Sequence, residues 1–174
     1  MLEKGLVQAY TGEGKGKTTA ALGLALRAVG QGLRVYILQF MKGNGNGGEM
    51  QAAKFLPNLV IEQFGLKGVF FKGDDLEVHK KNALEGLKKA KEIMLTEKYD
   101  IVILDEINIA LNYNLIPLEE VLKLIIEKPP KIELILTGRK LHPEIEKLAD
   151  LISEIKMVKH PYTKGIKARR GIEF

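Results

Sequence analysis

The chain has 174 residues, 45% of them hydrophobic and 28% charged, with no cysteine and a formal net charge of +5. That length supports one compact unit spanning residues 1–174 with a sizeable core, and the hydrophobic content argues against a disordered chain. The absence of cysteine excludes disulfides, thiolate zinc sites and cysteine nucleophiles, so catalysis has to use other groups.

The stretch from Met1 to Tyr10 lacks a basic flank followed by a long apolar run, and no apolar run approaches the length of a membrane span, so a cytoplasmic, non-membrane protein is expected. A first strand is predicted over Leu6–Tyr10, followed by a glycine-rich turn and a helix over Lys17–Val29 that Gly30 and Gly32 close. Leu33–Phe40 reads as the second strand. The glycine-rich run Gly43–Gly48 reads as a loop, with a lid as the other reading. A third strand is predicted over Leu59–Phe64. A helix then opens at Asp74 or Asp75, with Leu76, Ala83, Leu87, Ala90 and Met94 forming an apolar stripe at helical spacing.

Ile101–Leu104 is apolar without alternation, as suits a parallel strand covered on both faces. The next helix has Pro117 at its start and Glu119 and Glu120 in its first turn. Leu118, Val121, Leu122, Ile125 and Ile126 share one face, and Pro129 and Pro130 end it. Ile132–Leu136 forms the fifth candidate strand. A helix near Pro143, with Ile145, Leu148, Ala149 and Ile152 inward, leads to the last one, Ile155–Val158. Strand and helix alternate throughout, which predicts an α/β fold: a three-layer sandwich with a mainly parallel central sheet and ligands at the carboxyl ends of its strands.

The sharpest motif is Thr11-Gly12-Glu13-Gly14-Lys15-Gly16-Lys17-Thr18-Thr19, which follows a strand and opens a helix. Glycines let backbone amides converge on phosphate oxygens, and the helix start adds free amides and a positive dipole end. In such a phosphate-binding loop, or P-loop, Lys17 neutralises phosphate charge and the Thr18 hydroxyl ligates Mg2+ or Mn2+. The usual pattern has glycine where Thr11 stands. Asp105 and Glu106, at the end of an apolar strand, supply carboxylates for the same metal, directly or through water. These parts imply ATP or GTP binding and are compatible with hydrolysis, kinase chemistry or group transfer.

Read as a whole, the chain resembles the ATP:corrinoid adenosyltransferases. The likeness rests on Tyr10–Thr19, on Ala28–Val35 with Gln39–Gly43, and on Leu104–Glu106 followed by Leu115–Val121. It rests also on Leu136–Arg139 and on a closing region of Val158–Pro161, Gly165–Ala168 and Gly171–Phe174. Members of that family share the Thr11 form of the loop. The resemblance implies that a cob(I) corrinoid, such as cob(I)alamin or cob(I)yrinic acid a,c-diamide, attacks the 5′ carbon of ATP and releases triphosphate. The nucleophile then belongs to the corrinoid, and the protein aligns the reactants and stabilises the departing polyanion.

Gly12–Thr19 and Arg27 would hold ATP, reversed in the loop relative to typical NTPases. Lys15, Lys17, Arg27 and Arg139 would meet the triphosphate, and Glu106 would serve the metal. Phe70 and Phe71 would cover the lower face of the corrin. A homodimer and an electron-donating reductase, flavodoxin or similar, are implied partners. The rival readings are a P-loop ATPase or kinase, and a non-catalytic module that binds ATP or nucleic acid through the basic C-terminus. Aromatics are few and no nucleic-acid module is present, so no nucleic-acid partner is expected. None of the three histidines is spaced as a metal pair, and His79 reads as part of a surface-like helix.

Overall fold

The computed structural model describes residues 2–43, 47–66 and 76–173. In chain order the elements are β1 (Val7–Thr11), α1 (Lys17–Gly30), β2 (Val35–Phe40), α2 (Gly48–Ala53), β3 (Leu59–Phe64) and α3 (Leu76–Leu95). They continue with β4 (Ile101–Asp105), α4 (Ile107–Asn112), α5 (Leu118–Ile126), β5 (Glu133–Thr137), α6 (Pro143–Leu148) and β6 (Leu151–Glu154), before a 3-10 turn at Pro161–Lys164. The sheet runs β3-β2-β4-β5-β1-β6, and every described strand pairing is parallel. Parallel neighbours need crossovers, which the intervening helices supply.

Alternation along the strands sorts the core into two layers. Tyr36, Leu38 and Phe40 of β2, Val102 and Leu104 of β4, and Leu134 and Leu136 of β5 face one side, where α3, α4, α5 and Ile145 of α6 cover them. Val35, Ile37, Ile101, Ile103 and Ile135 face the other, under Ala21, Ala25 and Ala28 of α1 and residues of α2. β2, β4 and β5 are buried throughout. That explains the apolar runs at the centre of each, Val35–Leu38, Ile101–Leu104 and Leu134–Leu136: neither face meets water. Small alanines on α1 let that helix approach the branched side chains of the sheet.

Several expectations are corrected. The last strand lies at Leu151–Glu154, four residues before the predicted Ile155–Val158, and α6 ends at Leu148. The cause is Asp150, whose carboxylate accepts the Val7 amide at 2.8 Å while its own amide donates to the Val7 carbonyl. That pairing starts the ladder one residue later, leaving Ile152 and Leu148 largely exposed rather than inward. Leu76 and Ile126 are exposed as well, since each sits at a helix end beyond the reach of the sheet. His79 is buried, not on the surface. The glycine-rich run gives way to α2 at Gly48, and α4 was not foreseen. Phe70, Phe71, Asp74 and Asp75 lie outside the described residues.

Gly86 of α3 sits against two phenylalanines whose ring centroids are 6.4 Å apart. A Cβ there would come within 2.9 Å of Phe40 and Phe64 side-chain carbons. Replacing glycine by alanine in a helix gains about 0.8–1 kcal/mol, whereas overpacking a core costs about 1–3 kcal/mol. Gly86→Ala is therefore expected to destabilise by about 1 kcal/mol, and Gly23→Ala, with open space around its Cβ, to stabilise by about 0.5–1 kcal/mol. Urea unfolding midpoints of the two variants check the opposite signs.

Candidate active site

The loop between β1 and α1 lies at the carboxyl edge of the sheet. Gly12 and Gly16 adopt φ of 98° and 127°, in the region that side chains disfavour. A Cβ on Gly12 or Gly14 would meet the backbone of Ile155 or Lys156 within 3 Å, and the Gly14 amide donates to the Ile155 carbonyl at 2.7 Å. The segment after β6 thus braces the loop from outside. The amides of Lys15, Gly16 and Lys17 meet no backbone acceptor among the described residues, so they stand open at the start of α1, a ready anion site.

Lys17 is buried, and its ammonium donates to the carbonyls of Gly12 and Gly14 at 2.7 Å each. Burial, more than any neighbouring charge, lowers its pKa. Lys15 reaches the opposite way, to the Ile172 carbonyl at 3.1 Å and the Glu173 carboxylate at 3.2 Å. Hydrogen bonds from Arg169 hold the Glu173 carboxyl down at about 2. Arg139, on the turn after β5, lies 3.4 Å from Glu13 of the loop.

Asp105, at the end of β4, is the hub. Its Oδ1 accepts from Thr18 at 2.8 Å and from Thr137 at 2.7 Å; its Oδ2 accepts from Gln39 at 3.1 Å and from Lys42 at 2.9 Å. The Gln39 amide also donates to Glu49 of α2 and accepts from Gln63 of β3. Glu106 follows in a left-handed conformation, φ 64°, and its amide donates to the Thr137 hydroxyl. Burial raises the Glu106 carboxyl, the Asp105 charge adds to this, and Lys42, Lys17 and Arg139 draw it back.

Of the residues singled out in the sequence, the structure gathers Gly12–Thr18, Asp105, Glu106 and Arg139. Thr19 lies exposed on α1 without a side-chain role in this network. Arg27 is not gathered: it is exposed in the last turn of α1, about 15 Å of helix rise from Lys17. Sequence reasoning missed Thr137, Gln39, Lys42 and Glu49 as partners of the site. The available signal was position, since Thr137 ends one apolar strand and Gln39 stands next to the end of another, at the same edge. A cavity of about 590 Å3 between α3, α5 and His142 is lined by none of the loop residues.

The donors near the loop are oxygens: the Thr18 hydroxyl and the carboxylates of Asp105 and Glu106. Oxygen donors suit a hard divalent cation that keeps waters and takes phosphate oxygens. Among the described residues no three His, Asp or Glu side chains form a metal group on their own. A cation there would need ligands from outside these side chains. Since Asp105 already accepts four hydrogen bonds, Glu106 is the freer carboxylate.

The model of the family described as ATP:corrinoid adenosyltransferase BtuR/CobO/CobP matches residues 3–174. The chain belongs to this family. Curated relatives agree: it is 38% identical to the corrinoid adenosyltransferase of Escherichia coli K12 over 172 residues, 99% of this chain and 87% of that protein. With the Salmonella typhimurium LT2 corrinoid adenosyltransferase the identity is 37% over the same coverage. The Sinorhizobium enzyme is 37% identical across 99% of this chain and 81% of that one. Among solved structures the cytoplasmic domain of EssC superposes with TM-score 0.52 at 17% identity, over 96% of this chain and 36% of that one. That likeness speaks for the fold alone. No helix among the described residues is long and apolar enough to cross a membrane.

The raised Glu106 carboxyl has a stability consequence in this adenosyltransferase. A carboxyl whose folded pKa lies above its unfolded value costs stability wherever it is ionised in both states. The cost shrinks as pH falls through the folded pKa toward the unfolded one. Glu106→Gln is expected to raise the melting temperature of the ligand-free protein at pH 7, by roughly 2 °C or more, and the gain should shrink by pH 4. Thermal melts across pH check this; equal or lower stability of the variant at pH 7 contradicts it.

Proposed function

We propose that this enzyme transfers the 5′-deoxyadenosyl group of ATP to the cobalt of a reduced cob(I) corrinoid, cob(I)alamin or cob(I)yrinic acid a,c-diamide, and releases triphosphate. The observation that carries the reading is the set of open amides of Lys15, Gly16 and Lys17 beside the Thr18–Asp105 pair, in a chain of this family. Such a site suits a polyphosphate, in keeping with chemistry whose attacking atom belongs to the second substrate.

The protein's part is alignment and charge. Lys17, on moving from the Gly12 and Gly14 carbonyls to phosphate oxygens, follows the charge that grows on the leaving triphosphate. Arg139 and Lys15 stand on either side of the loop to do the same. Thr18 and Glu106 hold Mg2+ or Mn2+, with Asp105 orienting the Thr18 hydroxyl. When bound, that ion supplies further neutralisation of the triphosphate. Phe70 and Phe71 are assigned to the cover of the corrin's lower face. We place the enzyme in the cytoplasm as a homodimer, supplied with cob(I) by a flavodoxin-like reductase.

Incubating the protein with ATP, Mg2+ and chemically reduced cobalamin is expected to yield adenosylcobalamin and triphosphate in equal amounts. Inorganic phosphate without an alkylcobalt product would instead mark an ATPase. Lys17→Ala should lower kcat/KM by about 100- to 1,000-fold, the scale for loss of one transition-state charge contact. Glu106→Gln should raise the Mg2+ concentration needed for half-maximal rate.

A further inference from the structure

Lys42 belongs to none of the roles assigned so far, yet its ammonium occupies a telling position. It lies 2.9 Å from Asp105 Oδ2 and 3.9 Å from Glu49 Oε1, and it is the first of the positive charges acting on Glu106. Two carboxylates, from β4 and α2, thus meet one cation that the chain itself provides. Glu49 reaches the cluster from α2, held there by the Gln39 amide, which bridges it to Asp105 at 3.1 Å on each side. The cluster is therefore built into β2 and α2 as well as β4. The Lys42 side chain that neutralises it is only about one-third exposed.

We infer that Lys42 is the resident cation beside the metal position: it holds Asp105 and Glu49 together and must loosen its hold on Asp105, which also accepts from Thr18, when a divalent cation arrives. The inference rests on the placement of the metal at Thr18 and Glu106 under the proposed function, and it adds a positioning residue to that site. Two cations drawn to the same carboxylates repel each other strongly at such separations. Metal entry is then coupled to movement of the Lys42 ammonium. Phosphate oxygens of the incoming nucleotide are its natural next partners. The site would favour the metal–nucleotide complex over the bare metal, because only the complex offers Lys42 a replacement for what it gives up.

The sign of the effect separates this role from a structural one. Removing a merely structural lysine loosens the cluster and weakens metal binding; removing a resident cation leaves carboxylates uncompensated and strengthens it. Mn2+ binding to nucleotide-free protein, followed by the electron paramagnetic resonance of the free ion, is the readout. Lys42→Met is expected to bind Mn2+ about tenfold more tightly than the unmodified protein or more, and Lys42→Arg to bind it as weakly as the unmodified protein. Lys42→Gln retains a donor for Asp105 without the charge, so it carries the test should Lys42→Met fold poorly, and it should show the same gain.

Unchanged or weaker Mn2+ binding in both uncharged variants overturns the inference. Absence of Mn2+ binding in every protein overturns it together with the metal placement. Formation of adenosylcobalamin, measured separately, reports on the transfer reaction itself, so failure of the Lys42 inference and failure of the proposed function are told apart.

Discussion

The burial of one carboxylate governs the upper edge of the sheet. Asp105 is almost wholly enclosed, and an enclosed carboxylate is stable only when its lone pairs are filled. Four donors fill them, and they come from four places: Thr18 from α1, Thr137 from β5, Gln39 from β2, and Lys42 from the turn beyond β2. Satisfying Asp105 thus fixes the start of α1 against the ends of three strands. Loss of any one donor leaves part of the charge uncompensated, so the loop geometry and the stability of this edge are tied to the same hydrogen bonds.

The extent to which fold and site were legible follows from this. β4 and β5 were legible to within a residue, because strands covered on both faces must be apolar whatever lies around them. β6 was not. It is an exposed edge strand whose start depends on Asp150 pairing with Val7, 143 residues away, and no local pattern encodes that. α4 escaped because six residues opened by a left-handed Glu106 are too short to display a helical period. Within the site, the loop and the two acids were readable as contiguous motifs. Thr137 and Gln39 became partners of Asp105 only through the strand order: β5 lies between β1 and β4, and β2 lies on the other side of β4. Arg27 shows the converse, a cation near the loop in sequence but carried away from it along α1.

The cations of the loop already have oxygen partners within the protein. Lys17 is bonded to Gly12 and Gly14, Lys15 to Ile172 and Glu173, Arg139 is paired with Glu13, and Lys42 with Asp105. Under the proposed function, triphosphate binding is an exchange of partners, and its net free energy is a difference between two sets of charge-assisted contacts. Such an exchange moderates ground-state affinity. It also concentrates the benefit at the stage where the polyanion carries most charge, when triphosphate departs from the ribose carbon. Interactions that strengthen along the reaction raise the rate, whereas equally strong contacts to bound ATP would only deepen the starting well. In a site where the attacking atom is the corrinoid cobalt, the proposed contacts act through this graded transfer of positive charge from protein oxygens to phosphate oxygens.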